Sequence, residues 1–524
     1  MNIALHDLTS LKRVPSGPRL SFHTRIGGTS GFQPLAVIAT VLCVVLFGLP
    51  HILAVERPNI LLIVSEDNGP EIGCYGEPFV KTPVLDQLAA EGVRFHNAYV
   101  PQAGCSQSRA ALLTGLYPHQ NGQIGLATWK FRMYHQEPPN LVRSLKQSGY
   151  RTGIIGKLHV NPEAAFPFDV HEIPKANFNR RKLGDYAKRA EEFISASDRS
   201  FFLSVNYPDA HRPFIRQARG LPKYPLSGAD VKPLAYFGLD TPQLRQDTAD
   251  YYNCMSRLDS LIGDLLDVLQ RSGKADNTIV VYMGDHGADL LRGKRTSYEG
   301  GVRVPLMIRW PDNAASDLVR QELVSTLDLM PTLLEVAGTQ PVTGLPGRSL
   351  LPLLQAPSPD KAVPAWRRYL FTEYHLHSAH NFFPQRTVRD ERYKLIQNLM
   401  PGQTNPGYGF TLMRFFSGLP DAIESAPKYI RSSYHRMQTP PEYELYDLHS
   451  DPYEFHDLAT DTDHLDMLAE LQKELAAWRR QTNDPLLDPG NLLKLKVEID
   501  ACMTDGAADK SRLTLSYPEY FFAP

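Results

Sequence analysis

Short apolar runs alternate with stretches of helical period over the first two thirds of the chain. NILLIV (59–64) is apolar at nearly every position, the pattern of a strand buried on both faces. RTGIIG (151–156), SFFLSVNY (200–207), NTIVVYMG (277–284) and VPLMIRWP (304–311) repeat that texture. Between them, TPVLDQLAAEG (82–92), TADYYNCMSRLDSLIGDLLDVLQRSG (248–273) and VSTLDLMPTLLEVAG (324–338) carry helical periodicity and end at glycines that read as C-caps. This alternation predicts an α/β fold, a mostly parallel sheet flanked by helices. After about residue 360 the texture changes. RYLFTEYH, RTVRDERYKLIQNL and EYELYDLHSDPYE read as short strands with turns, and HLDMLAELQKELAAWRRQ as an amphipathic helix. These predict a smaller domain of antiparallel sheet plus one helix. The Pro/Gly-rich stretch 401–441 between its strands reads as a substrate-facing loop. NLLKLKVEIDA, near the C-terminus, is compatible with strand or helix. The expected domains are therefore 56–360, 361–485 and a C-terminal extension, 486–524.

The N-terminus sets residues 1–54 apart. Lys12, Arg13, Arg19 and Arg25 precede the apolar run LAVIATVLCVVLFGL, and PHILA follows, with Ala54 as a cleavage position. That is the layout of a signal peptide; the run is short for a membrane span, and an uncleaved N-terminal anchor is the alternative. The expectation is an exported protein, periplasmic or secreted, or lysosomal in an animal. The rest of the 524 residues, with 42% hydrophobic and 21% charged overall, suits an ordinary globular protein with one large domain and a smaller one. A net charge of −2 argues against a nucleic-acid-coating protein, so any acidic substrate must be bound locally. Cys43 lies in the N-terminal run, leaving Cys74, Cys105, Cys254 and Cys502. That leaves room for a bridge without assigning one.

The candidate chemistry lies where the strands end. NILLIV runs into Ser65-Glu66-Asp67, RTGIIG into Lys157-Leu158-His159, SFFLSVNY into Asp209-Ala210-His211, and NTIVVYMG into Asp285-His286. In an open parallel sheet the carboxyl ends of the strands share one edge, where ligands bind. Taken singly, each of these residues reads as a turn, a cap or a solvated side chain. Together they predict a polar site. Glu66, Asp67 and Asp285 offer hard oxygens suited to calcium or magnesium, and His286 adds a nitrogen that zinc also accepts. Cys105 opens the helical run CSQSRAALLTG, where unpaired N–H groups and the helix dipole lower a thiol pKa and cradle anions. Arg109 follows one turn later. On the residues alone, Cys105 could be a disulfide partner of Cys74, a thiolate nucleophile with His159 or His211 as base, or the precursor of another group.

CSQSRAALLTG resembles the signature of the sulfatase family, Cys-x-Pro-Ser-Arg followed by Ala/Ser-x-Leu-Leu-Thr-Gly. The resemblance runs from about Asn59 to Pro485, through KTPVLDQLAAEGVRFHNAYV, GKLH, DAHRPF, GDHG, GKRTSYEGGVRVPLMIRWP and YELYDLHSDPYEFHDLATD. Within the family, GLYPHQNGQIGL, RTGIIGKLHVNPEAAFPFD, FFPQRTVRDERYKLIQNL and LAAWRRQTNDP look most like the N-sulfoglucosamine sulfohydrolases. The resemblance implies an alkaline-phosphatase-like fold and oxidation of Cys105 to formylglycine by a formylglycine-generating enzyme. It also implies one divalent ion, usually calcium and less often magnesium, at Glu66, Asp67, Asp285, His286 and the modified Cys105. Arg109, Lys157 and Lys294 match positions that stabilise the nucleophile and the sulfate, His159 the base, and His211 the acid for the leaving group. His377 and Arg386 are the candidate sugar contacts. The implied substrate is a sulfated sugar or glycan, with the N-sulfate of glucosamine in heparan-type chains first. An O-sulfatase, a phosphoesterase of the same superfamily and a non-catalytic glycan binder are the alternatives, and a homo-oligomer is compatible with all of them. Two positions depart from the pattern: Gln107 stands where proline is usual, and Glu66 where the first of two aspartates is usual. Neither departure removes a charge from the site.

Overall fold

In a computed structural model of the chain, the described residues are 57–174, 183–356, 365–415, 418–504 and 506–522, besides Ser21 and His23. Apart from those two, the residues of the predicted signal peptide lie outside them. No helix among the described residues is long and apolar enough to cross a membrane.

Nine strands form the main sheet: β1 (Asn59–Ser65), β2 (Val93–Tyr99), β3 (Arg151–Gly156), β4 (Val170–Glu172), β5 (Phe201–Tyr207), β6 (Thr278–Gly284), β7 (Arg303–Arg309), β8 (Leu318–Arg320) and β9 (Val324–Ser325). Their order is β4-β3-β5-β1-β6-β7-β2-β8, with β9 also beside β2. The pairs from β4 to β6 are parallel, and β7 runs antiparallel to both β6 and β2. The predicted mostly parallel sheet is therefore present with one reversed strand. In β1, Leu61 and Ile63 pack with Leu258, Ile262 and Leu265 of the long helix Pro242–Arg271. Ile60, Leu62 and Val64 pack on the other face with Leu141, Leu145 and Leu333. This is why NILLIV shows no alternation: both faces are covered.

The helices used below are α1 (Pro83–Ala90), α2 (Cys105–Thr114), α3 (Asp185–Ser195), α4 (Pro242–Arg271) and α5 (Leu329–Val336). In α4, Thr241 Oγ1 accepts from the Leu244 N–H and Pro242 occupies the first turn, where its missing N–H has no partner to lose. Gly273 follows in the left-handed conformation (φ 70°), as its position predicted. Gly92 differs. Helix α1 ends at Glu91 with right-handed geometry, and Gly92 is required for space, since a Cβ there would stand 2.4 Å from the Ile308 carbonyl oxygen.

A second sheet, β10 (Leu370–Tyr374), β11 (Gln385–Arg389), β12 (Tyr393–Asn398) and β13 (Tyr443–Asp447), is antiparallel in chain order. Helix α6 (Leu465–Gln481) lays Leu471, Leu475 and Trp478 on Val388, Leu395 and Leu445, in a cluster that also includes Ala111 of α2. The stretch 401–441 is not the loop expected from its composition. It folds as three helices, Pro406–Phe415, Leu419–Ser425 and Lys428–Gln438. Pro406 opens the first, Pro420 is the second residue of the next and Pro427 immediately precedes the third, all places where proline is tolerated. NLLKLKVEIDA resolves as helix: α7 (Pro489–Asp500) begins at Asp488, whose side chain accepts from the Gly490 N–H. Leu495, Ile499 and Tyr517 from this end pack with Ile124, Phe131, Leu376 and Phe383.

Candidate active site

Register brings the polar strand ends together. Ser65 lies opposite both Tyr207 and Gly284, and Gly156 opposite Asn206. The residues that follow β1, β3, β5 and β6 therefore leave the sheet at one edge, as the strand pattern predicted. Helix α2 aims its N-terminus at the same edge. Cys105 Sγ lies 3.3 Å from His286 Nε2, 3.7 Å from Glu66 Oε1 and 3.9 Å from Asp67 Oδ1. The Asp67 backbone, held at φ 52°, donates to Asp285 Oδ1 at 2.9 Å, which locks the acids after β1 and β6 to each other. Glu66, Asp67, Cys105 and His211 offer ligand atoms all within 4.8 Å of one another, and so do Cys105, Asp285 and His286.

Four cations surround these acids. Arg109 donates through Nε to Asp285 Oδ2 (3.1 Å) and through Nη1 to Asn206 Oδ1 (2.7 Å) and the Lys157 carbonyl (3.1 Å). Lys157 Nζ pairs with Glu66 Oε1. Lys294 Nζ is shared between both Asp67 oxygens at 2.8 and 2.9 Å. Arg295, beside it, forks onto Asp289 at 2.6 and 3.0 Å. Burial shifts several groups of the site. Desolvation lowers Lys157 to about 7, against the pull of Asp285. Asp285 moves the other way despite its own burial, held well below the carboxylate range by His286, Arg109 and Lys157. His159 is pushed far down by burial and then by Lys157 and Arg109, and both its ring nitrogens lack partners. His211 is lowered to about 4, chiefly by burial, and its Nδ1 lies 2.6 Å from the Arg212 carbonyl.

The thiol corrects an expectation. Its place at the helix N-terminus was expected to lower the pKa, but burial raises Cys105 to about 12, with Lys294 and Arg109 recovering only part of the shift. Cys105 is a buried, protonated thiol, and Cys74, Cys254 and Cys502 are free as well, so no bridge forms among the described cysteines. A thiolate hydrolase does not fit this environment. A cation does. Three carboxylates converge there, and the buried Glu66 Oε2 has no hydrogen-bond partner. Hard oxygens with one nitrogen, at this spacing, suit a divalent ion.

Above these groups opens a cavity of about 240 Å³ lined by His211, Lys294, Arg295, His377, Trp129 and Phe410, among others. His377 lines it, with its Nδ1 unpartnered. Arg386 does not reach it. It is fully buried, forked onto Asp484 at 2.7 and 2.9 Å, and also donates to the Gln385 carbonyl, so the predicted sugar contact is corrected to a structural ion pair. Arg295, Asp289, Trp129 and Phe410 were not singled out from the sequence. Arg295 adjoins Lys294 and could have been, whereas Phe410 comes from a stretch whose helices were not recognised. A separate cleft of about 300 Å³ at Glu71, Arg292, Glu299 and Glu454 contains none of the signature residues.

The sheet, the acids after β1 and β6 and the cysteine-led helix define a hydrolase-like site whose acids and histidines could hold a metal ion. A family model described as Sulfatase matches residues 58–339, and one described as N-sulphoglucosamine sulphohydrolase, C-terminal, matches residues 284–404. The human N-sulphoglucosamine sulphohydrolase is 33% identical over 494 residues, covering 84% of this chain and 94% of that protein. An ulvan-active sulfatase of Formosa agariphila is 28% identical over 82% of each chain. Among solved structures, a protein in complex with its substrate D-glucosamine-2-N,6-O-disulfate shares the fold at a TM-score of 0.60 and 21% identity, covering 82% of this chain and 99% of that one. This chain belongs to the sulfatase family and is a sulfuric ester or sulfamide hydrolase. Membership implies a divalent metal ion and a formylglycine.

Proposed function

We propose that this protein hydrolyses the N-sulfate of glucosamine at the end of a heparan-type glycan. The observation that carries the reading is Cys105 at a helix N-terminus within 4 Å of Glu66, Asp67 and His286, in a chain 33% identical to the human sulfohydrolase. Calcium is the ion best suited to the ligand set, because its flexible shell accepts the longer arm of Glu66. Glu66, Asp67, Asp285 and His286 would hold it, and when bound it supplies Lewis acidity toward a sulfate oxygen. Oxidised to formylglycine, residue 105 supplies a hydrated aldehyde in place of an inert thiol.

The chain's own groups do the rest. The N-terminal N–H groups of α2 face the anion, and Arg109, Lys157 and Lys294 oppose the charge that develops on the sulfate oxygens. His159, neutral and unpartnered, takes the proton from the residue-105 hydroxyl as sulfate is released. His211, lowered by burial and therefore neutral at rest, would take up a proton from solvent at the cavity wall and pass it to the departing amine nitrogen. His377 contacts the sugar from the second sheet's side. Export through the N-terminal apolar segment belongs to the same reading, as does maturation by a formylglycine-generating enzyme.

The test is sulfate release, with calcium, from N-sulfoglucosamine and from 6-O-sulfated N-acetylglucosamine side by side. Release from the N-sulfated sugar is the expected result. Release from the O-sulfated sugar alone would replace this substrate and leave the family chemistry standing.

A further inference from the structure

Gln107 is the third residue of α2, occupies the place where the sulfatase pattern has proline, and is wholly buried. Its Nε2 donates to the Leu376 carbonyl at 2.7 Å and to the Ile124 carbonyl at 3.2 Å. Gln102 Nε2 donates to the same two carbonyls at 3.0 and 3.3 Å. Two amide groups offer four N–H bonds, and two carbonyls offer four lone pairs, so the arrangement is a closed square. Gln102 is itself oriented by His375 Nδ1, 3.2 Å from its Oε1. Space for the Gln107 amide exists because residue 104 is glycine: a Cβ there would stand 2.6 Å from Gln107 Oε1.

The two carbonyls belong to loops that wall the cavity. Two residues beyond Ile124, the Leu126 N–H donates to the His377 carbonyl at 3.0 Å, and Ser106 Oγ accepts from the Ala127 N–H at 2.9 Å. Leu126, His377 and Ser378 all line the cavity. The nucleophile's own helix is therefore tied through Gln107 to a loop of the first sheet's side and to the loop that carries His377. Proline at this position has no side-chain donor and could make neither bond.

We infer that Gln107 is a positioning residue for substrate binding: with Gln102 it fixes the distance between residue 105 and the wall formed by Leu126 and His377. The inference deepens the sulfatase reading and rests on it for its kinetic consequence. The Gln107 donors point to the carbonyls of Leu376 and Ile124, and none of the acids, cations or histidines around Cys105 bonds to them. Loss of the donors should therefore loosen the sugar wall and spare the reacting group.

Two variants test this, Gln107→Met, which keeps length without donors, and Gln107→Pro, the residue that the family pattern accommodates. Formylglycine at residue 105 is quantified in each by peptide mass, and rates are expressed per aldehyde-bearing molecule. KM for the sugar released by the wild type should rise about tenfold in both, with kcat within about twofold. Amide exchange in the segments 122–127 and 375–380 should accelerate by at least about tenfold, the Leu126 amide included. Unchanged exchange in both variants would overturn the inference, and so would a loss that lies wholly in aldehyde content or in kcat. Should aldehyde-bearing wild type release no sulfate from any sugar offered, the substrate reading falls, and the exchange comparison still decides the clamp.

Discussion

Cys105 sits where two effects on a thiol oppose each other. A helix N-terminus and nearby cations favour a thiolate, while complete burial among Asp67 and Asp285 favours the protonated form, and burial wins, with a pKa pushed up to about 12. The residue is thus a poor nucleophile as cysteine and well placed as the precursor of one. Cys105→Ala is expected to abolish sulfate release while leaving the fold intact, because a small buried side chain is lost beside a polar cluster; near-wild-type turnover in that variant would refute the role. Lys157, Lys294 and Arg109 pair with the acids around it but leave Glu66 Oε2 without a partner, so the site has capacity for a divalent ion that the unfolded chain lacks. Calcium should therefore raise Tm in a concentration-dependent way, by the equivalent of about 2.7 kcal/mol at a hundredfold excess over Kd. Asp285→Asn should remove most of that rise along with activity. An identical calcium response in Asp285→Asn would place the ion elsewhere.

At the scale of elements, the C-terminal segment from α7 onward is bonded to the loops beside the cavity, including His380 of its wall. Lys130 Nζ donates to the Leu513 carbonyl (2.7 Å), Tyr517 OH donates to the Gly122 carbonyl (2.8 Å), and the Ala508 N–H donates to His380 Nε2 (3.3 Å). Leu495, Ile499 and Tyr517 cover Ile124, Phe131, Leu376 and Phe383, each core side chain contributing about 1.5–3 kcal/mol by its burial. A chain ending at Asp488 is expected to show a clearly lower Tm and a raised KM; equal values would mean that the segment braces nothing. Strands β1, β3, β5 and β6 were legible because buried parallel strands lack alternation, and the polar residues ending them marked the rim. Phe410 and the helices of 401–441 were not legible, because proline at helix starts and proline in loops look alike in composition. Arg386 was misread for a different reason. Its pairing with Asp484, nearly a hundred residues away, is a tertiary fact that neither local pattern contains.

Across the whole molecule, a buried charge network joins the signature-helix side to the second sheet. Glu373 accepts from the His119 backbone N–H at 2.8 Å, its Oε2 lies 2.6 Å from His119 Nδ1, and Arg386 links it to Asp484 and His375. Burial alone would raise Glu373, but His119, His375 and Arg386 outweigh it and hold the carboxyl at about 2. Its folded pKa is depressed, so its stabilisation is present above about pH 4.5 and is lost as pH falls toward 2. Glu373→Gln should lower stability at neutral pH and flatten the acid limb of the stability curve, measured as Tm against pH; an unchanged acid limb would show that the network does not couple the parts. The central claim, that an aldehyde derived from Cys105 removes sulfate from N-sulfoglucosamine, has one most direct measurement. Preparations that differ in the fraction of residue 105 converted, determined by peptide mass, are assayed for sulfate release from that sugar. The account predicts a rate proportional to the converted fraction, with a zero intercept. Full turnover from protein whose residue 105 is still cysteine would contradict it.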